Sequence, residues 1–313
     1  MCKVFEMSKQ ALYKREKRKE KDHLEEDIIV EKVKHIKKGL PRTGGRKLKQ
    51  MLKRKKIYIG RDRLFSILRQ NSLLVKRRRN YTVTTNSMHR FKKYKDIFNT
   101  LKVVMPEQVF VSDITYIRLK EGFSYLCLTT DAYSRKIMGY ALSKDLSRQG
   151  VLTALSLAID NRIYTHPLMH HSDRGFQYCS NDCVELLTKN EISISMTESG
   201  SPYDNAIAER INGILKTELG LEKTFDSHEQ AGEAVDIAIR RYNKSRIHMS
   251  CDYLTPNQAH KTSKPLKRLW KNKQYTNFEK SDEAETGSAE EQPVRNNLTD
   301  GNKEAAGKLS AAF

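Results

Sequence analysis

QVFVSDITYIRL, residues 108–119, is the stretch that decides the fold. Val109, Phe110, Val111, Ile114 and Ile117 make it apolar and rich in β-branched side chains, so it reads as a strand. Glu121-Gly122 ends it with a turn. One residue departs from the pattern. Asp113 stands in mid-strand, and strand alternation puts it on the face opposite Ser112 and Ile114. A carboxylate in such a strand is costly to bury unless something positive binds it.

The same texture continues downstream. FSYLCLTTDAYS (123–134) reads as a second strand and KIMGYAL (136–142) as a third, giving an antiparallel meander. Residues 148–161 carry Val151, Leu152, Leu155, Ala158 and Ile159 at helical spacing. LMHHSD (168–173) is a short strand, SNDCVELLTKN (180–190) a helix and ISISM (192–196) a further strand. Residues 204–219 and 228–242 read as helices. The class is therefore α/β, a mixed five-stranded sheet with flanking helices over residues 106–265. A C-terminal extension, 266–313, follows. It is poor in large apolar groups, and disorder is expected from about residue 277.

Upstream the composition changes. The whole chain carries a formal charge of +20, but residues 1–100 hold 31 Lys and Arg against 10 Asp and Glu. The rest holds 27 against 28. One segment is a polycation, which suits a polyanion partner. Its charges are interrupted at helical spacing. A short helical pair is expected in 1–20, with Ser8 capping its second member, and another run at 24–38 carries Leu24, Ile28, Ile29, Val33 and Ile36 until Gly39. After Gly44-Gly45, Leu48, Met51 and Leu52 suit a helix; Ile57–Ile59 link it through Gly60 to another, with Leu64, Ile67 and Leu68. Two short basic helices around a tight Gly turn form a helix-turn-helix-like pattern, so residues 1–80 are read as a basic all-helical DNA-binding region. Any small basic bundle shares that pattern. Arg77, Arg78 and Arg79 open a basic linker, 81–105 being its polar body, and are expected on phosphates.

Several classes drop out. Five cysteines at irregular spacing give no disulfide framework and no paired zinc ligands. No apolar run reaches the roughly 18–20 residues of a membrane span, and no secretory signal is visible. A cytoplasmic, nucleoid-associated bacterial protein is expected.

Two more acids join Asp113. Asp173 ends the strand LMHHSD, a usual place for a functional group in an α/β sheet. Glu209 lies on the helix DNAIAERINGILKTE, on one face with Ala206 and Lys216. Strand transfer between DNA molecules uses two divalent cations about 3.5–4 Å apart. Three carboxylates can hold them, Asp113 bridging and Asp173 and Glu209 each completing one ion. Mg2+, or Mn2+, suits such oxygen ligands. Random acids would simply be surface charges; the flanking residues separate the readings.

VSDITYI, LTTDAYSRKIMGY, HHSDRGFQYCS, SPYDNAIAERINGILKTE, YNKSRIH and YLTPNQA together closely resemble the catalytic product of IS-three-family insertion-sequence transposases, in the DDE transposase and retroviral integrase superfamily. Asp113 and Asp173 are 60 apart, and 35 residues separate Asp173 from Glu209. The resemblance covers about 1–262. It implies a ribonuclease-H-like fold, metal binding by Asp113, Asp173 and Glu209, and cleavage at element ends that frees a 3′-OH for strand transfer. It also implies that Lys216 holds terminal DNA near the metals. Arg174, Asn205, Arg210, Arg246 and His248 complete the expected DNA contacts, with Asn205 alternatively a helix cap. Gly175 is expected to let the backbone turn beside the site, while Gln177 and Tyr178 either touch DNA or brace the loop. The HHCC zinc site of retroviral integrases cannot be built from residues 1–100. The partners implied are element-end and target DNA, further copies of the chain, and an upstream-frame helix-turn-helix protein or a fusion with it. The alternatives are a non-catalytic DNA-binding remnant or regulator, which the intact acid set disfavours, and a plain ribonuclease-H-type nuclease, which the polycationic segment and Lys216 disfavour.

Overall fold

The computed structural model describes residues 8–75, 92–197, 205–262 and 265–266. By its contacts the chain divides into Met1–Lys271 and Asn272–Phe313, and every described residue belongs to the first unit. The basic run Arg77–Arg79 and the tail lie outside the described residues.

Five strands form one sheet. They are β1 (Val109–Arg118), β2 (Phe123–Asp131), β3 (Ile137–Ser143), β4 (Met169–Ser172) and β5 (Ser193–Met196), in the order β3-β2-β1-β4-β5. The meander is antiparallel as expected, with Asp113 opposite Leu128 and Leu128 opposite Tyr140. β4 runs parallel to β1, and β5 parallel to β4. That mixed sheet is the ribonuclease-H-like arrangement. Gly122, at φ +80°, makes the β1–β2 turn.

β1 is central and covered on both faces, which is why its sequence is nearly continuous in apolar residues. On one face Phe110 and Ile114 pack with α4 (Arg148–Asp160), the short α5 (Phe176–Cys179) and α6 (Asn181–Lys189). On the other, Ile117 and Leu128 pack with α7 (Ala206–Leu219) and α8 (His228–Ser245). Asp113 shares this second face. Gly139 of β3 lets α4 come close, since a Cβ there would stand 2.0 Å from the Ala154 carbonyl oxygen.

The helical region has its own small core. α1 (Lys9–Gly39) supplies Ile29, Val30, Val33 and Ile36; α2 (Gly45–Arg54) supplies Leu48 and Leu52; α3 (Arg61–Gln70) supplies Leu64, Ile67 and Leu68. The expected separation between the second member of the pair and the 24–38 run is absent: from Lys9 onward one helix runs 31 residues, because no Gly or Pro interrupts it, while the pair's first member lies outside the described residues. Ser8 caps it, accepting from the Ala11 N–H at 3.1 Å.

Two features were not visible in the sequence. The second half of the linker is strapped to β5: Ser195 Oγ accepts from the Ile97 and Phe98 amides, and Met196 N–H donates to Lys95 O. A buried polar network joins Glu107, Asp131, Ser134 and His260, the last residue of α9 (Pro256–His260). His260 Nε2 lies 2.9 Å from Glu107 Oε1, and Nδ1 lies 3.1 Å from Ser134 Oγ. Ser134 donates to Asp131. Burial works against both charges, but hydrogen bonds win: those of Glu107 to His260 and to the Ile163 and Tyr164 amides, and those of His260 to Asp131 and Glu107. They hold Glu107 below, and His260 above, their ordinary ranges. A serine, a histidine and two acids are thus gathered where no substrate reaches them, and the network is structural.

Gly139→Ala should overpack the β3–α4 contact and destabilise the fold by about 1–3 kcal/mol. Urea unfolding checks this; an unchanged midpoint would contradict the packing described.

Candidate active site

Asp113 sits at the middle of β1, half-buried, facing α7. Two donors fix its carboxylate. The Ile114 N–H reaches Oδ1 at 2.9 Å and the Asn212 side-chain amide reaches Oδ2 at 2.7 Å. Asn212 is one turn beyond Glu209 on α7, and Lys216 is one turn beyond Asn212. The three therefore form one stripe of the helix. Asn205 anchors the start of that helix. It holds the cap position without capping; its amide instead donates to Ser112 O at 3.0 Å. It is 6% exposed. The expected choice between cap and phosphate contact thus resolves into a brace between α7 and β1.

Asp173 follows β4, half-buried, and accepts the Gly175 N–H at 3.0 Å. Gly175 has a common φ of −63°. Its absence of a side chain matters for space, because a Cβ would stand 3.0 Å from Asp173 Oδ1. Gln177 is buried and donates to Leu146 O, and Tyr178 is 2% exposed, so both brace the loop.

The acids feel one another. Burial pushes the Asp113 carboxyl up to about 7, the charge of Asp173 adds to the push and that of Glu209 adds less, while Asn212 and the Ile114 N–H pull against it. Burial also raises Glu209. Lys216 is half-buried, and burial lowers it although Asp113 attracts its charge. A donor set of carboxylate oxygens suits a hard divalent cation. Among the described residues, no three His, Cys, Asp or Glu side chains stand at metal-binding spacing. The acids are electrostatic neighbours rather than a closed coordination shell.

The other expected contacts scatter. Arg210 is exposed beside Glu209, and Arg174 is half-buried beside Asp173. Arg246 is 4% exposed and makes paired 2.8 Å bonds to Glu218, with Nη1 2.8 Å from His248 Nε2. The structure buries Arg246 and His248, pairing Arg246 with Glu218 and with His248. Ser201, Pro202 and Asp204 lie outside the described residues. His170 is buried against Ser112 and pushed down to about 3 by burial and His171, a neutral core histidine. Cys127, Cys179, Cys183 and Cys251 are buried, and none is in a disulfide. Among the described residues no helix is long and apolar enough to cross a membrane.

Asn212 went unread in the sequence. The available signal was its place between Glu209 and Lys216 on one helical stripe.

Residues 104–202 and 190–256 each match the Integrase core domain family. The chain is 31% identical over 261 residues to the insertion element IS600 uncharacterized 31 kDa protein of Shigella sonnei, covering 82% of this chain and 96% of that one. It is 30% identical over 253 residues to the transposase for insertion sequence element IS904 of Lactococcus lactis, covering 78% and 98%. Over 154 residues it is 36% identical to transposase InsF for insertion sequence IS3A of Escherichia coli, covering 49% and 54%. With a central-strand aspartate facing the helix that carries the glutamate, and relatives matched along nearly their whole lengths, the chain belongs to the insertion-sequence transposases of the DDE and integrase superfamily.

Proposed function

We propose that the chain cuts and joins DNA strands at the ends of its mobile element, using Asp113, Asp173 and Glu209 to hold a pair of Mg2+ or Mn2+ ions. One observation carries this reading. Asp113 is lifted to about 7 by burial and by Asp173, on a face shared with Glu209 and Lys216. Burying a strand carboxylate beside a second acid costs free energy, and a bound cation would compensate it. Bound there, the ions would supply Lewis-acid activation of the attacking and leaving oxygens.

The chain's own residues do the rest. Asn212 keeps Oδ2 of Asp113 from rotating away. The Ile114 N–H fixes Oδ1. Lys216, on the same helix stripe, would hold a terminal phosphate beside the acids. Its lowered proton affinity would recover as the phosphate charge arrives. The helical region would grip the duplex, and two ends brought together imply a multimer on DNA. A DNA-binding remnant is the second reading, favoured by the basic segment alone.

Asp173→Asn should abolish strand transfer on element-end DNA and leave binding intact, since the basic region is untouched. Transfer at the wild-type rate would sink the metal role.

Asp113→Asn should behave differently in the two assays. Activity is lost, but metal-free stability at pH 7.5 should rise by about 1–3 kcal/mol. The folded carboxyl takes up protons more readily than the unfolded one, so its ionisation costs stability as pH climbs from about 4 to 7. Asn212 can accommodate the change by turning over, because its Oδ1 is buried without a partner. Thermal melts with and without chelator read this out; a large drop in the chelated melt would contradict it.

For the wild type, activity should fall as pH drops through about 7, where protons displace the cation from Asp113. Rates at fixed metal across pH 6–8 check this, and excess metal should move the midpoint down.

A further inference from the structure

A polar cleft of about 580 Å³ opens between α2 and the turn after α8. Arg46, Gln50 and Arg54 line it from α2; Met249, Asp252 and Tyr253 line it from the turn. The first three are four residues apart, so they form one face of the helix. The opposite face is the apolar one, with Leu48 and Leu52 in the helical core. Arg54 ties the cleft's end, donating to Tyr253 O at 2.8 Å.

Cations outnumber anions here, Arg46, Lys47, Arg54 and Arg246 standing against Asp252 and Glu218. Lys47 lies 3.6 Å from Glu218, but Arg246 already occupies both oxygens of that carboxylate. Burial lowers Lys47 to about 8, the Arg246 charge adds to this, Glu218 opposes it, and Arg210 adds again. Arg210 adjoins Glu209 in sequence, so this basic group reaches the active-site helix. α2 also carries Arg46 and Lys47 in its first turn and no acid there. That is the reverse of what a helix macrodipole favours. Local costs that coincide on one surface mark a functional site rather than a fold requirement.

We propose that this cleft seats the sugar-phosphate backbone of DNA. The Arg46–Gln50–Arg54 face of α2 takes the phosphates, and Lys47 and Arg210 lead the strand toward Glu209. The inference rests on the DNA-joining reading above and adds which face of the helical region meets DNA. Backbone contacts position the duplex without reading its sequence, so a random-sequence duplex is a sufficient probe.

The test is equilibrium binding of the full chain, in chelator, to a labelled random duplex of about 30 base pairs across a salt series. Arg46→Glu is compared with Lys189→Glu, an equal charge change at an exposed site on α6. Arg46→Glu should weaken binding about tenfold and flatten the slope of log affinity against log salt by about one. Lys189→Glu should change neither beyond the small shift expected from net charge. Equal effects of the two variants, with steep wild-type binding, would remove the cleft and leave the DNA-joining reading standing. A wild type that binds no duplex at any salt would remove both. Arg46 is exposed, so a matching melting temperature for Arg46→Glu separates lost contact from lost fold.

Discussion

The contact between the central strand and α7 organises everything else. A carboxylate placed on the inner face of β1 costs free energy, and α7 is the element that answers it. Asn212 donates to the carboxylate, Asn205 locks the helix start to the strand backbone, and Glu209 and Lys216 ride on the same stripe. The second acid arrives from a different direction, at the end of a parallel strand beside β1. Parallel pairing of β4 with β1 is thus what brings Asp173 into the electrostatic range of Asp113. The helices on the opposite face only have to keep the sheet rigid, and Gly139 lets α4 lie close enough to do it.

Much of this was legible in the residues because it is local. Strand alternation gave the face of Asp113, and helical spacing joined Glu209 to Lys216. Turn residues gave the meander, and the apolar stripes gave α2, α3 and α4. What escaped depends on pairs distant in sequence. Asn212 and Asp113 are 99 residues apart, and His260 and Glu107 are 153 apart. No period or propensity carries such a pairing. Short helices such as α5 and α9 escaped too, since four or five residues hold too little periodicity to register. The Arg246–Glu218 pairing escaped for a related reason. A basic residue near a functional helix reads as a phosphate ligand until its buried carboxylate partner is known.

Charge is distributed in the same two-level way. The helical region is a polycation, yet its core is ordinary: nine buried aliphatic side chains from three helices. Its docking onto the catalytic part is polar, through Lys47, Glu218 and Arg54. Polar docking of this kind tolerates water and anions, so it can persist beside a strongly charged surface.

The Glu107–His260 network also says where the domain can be trimmed. A shortened version ending after α8 would keep the whole sheet and every acid of the site. It would also lose the imidazole that stands between Glu107 and Asp131, both fully enclosed. Two sequestered acids would then confront each other without their shared counterion, beside the start of β1 and the end of β2. The small helix α9 is therefore a structural keystone of the catalytic fold, and minimal versions of it must extend past residue 260.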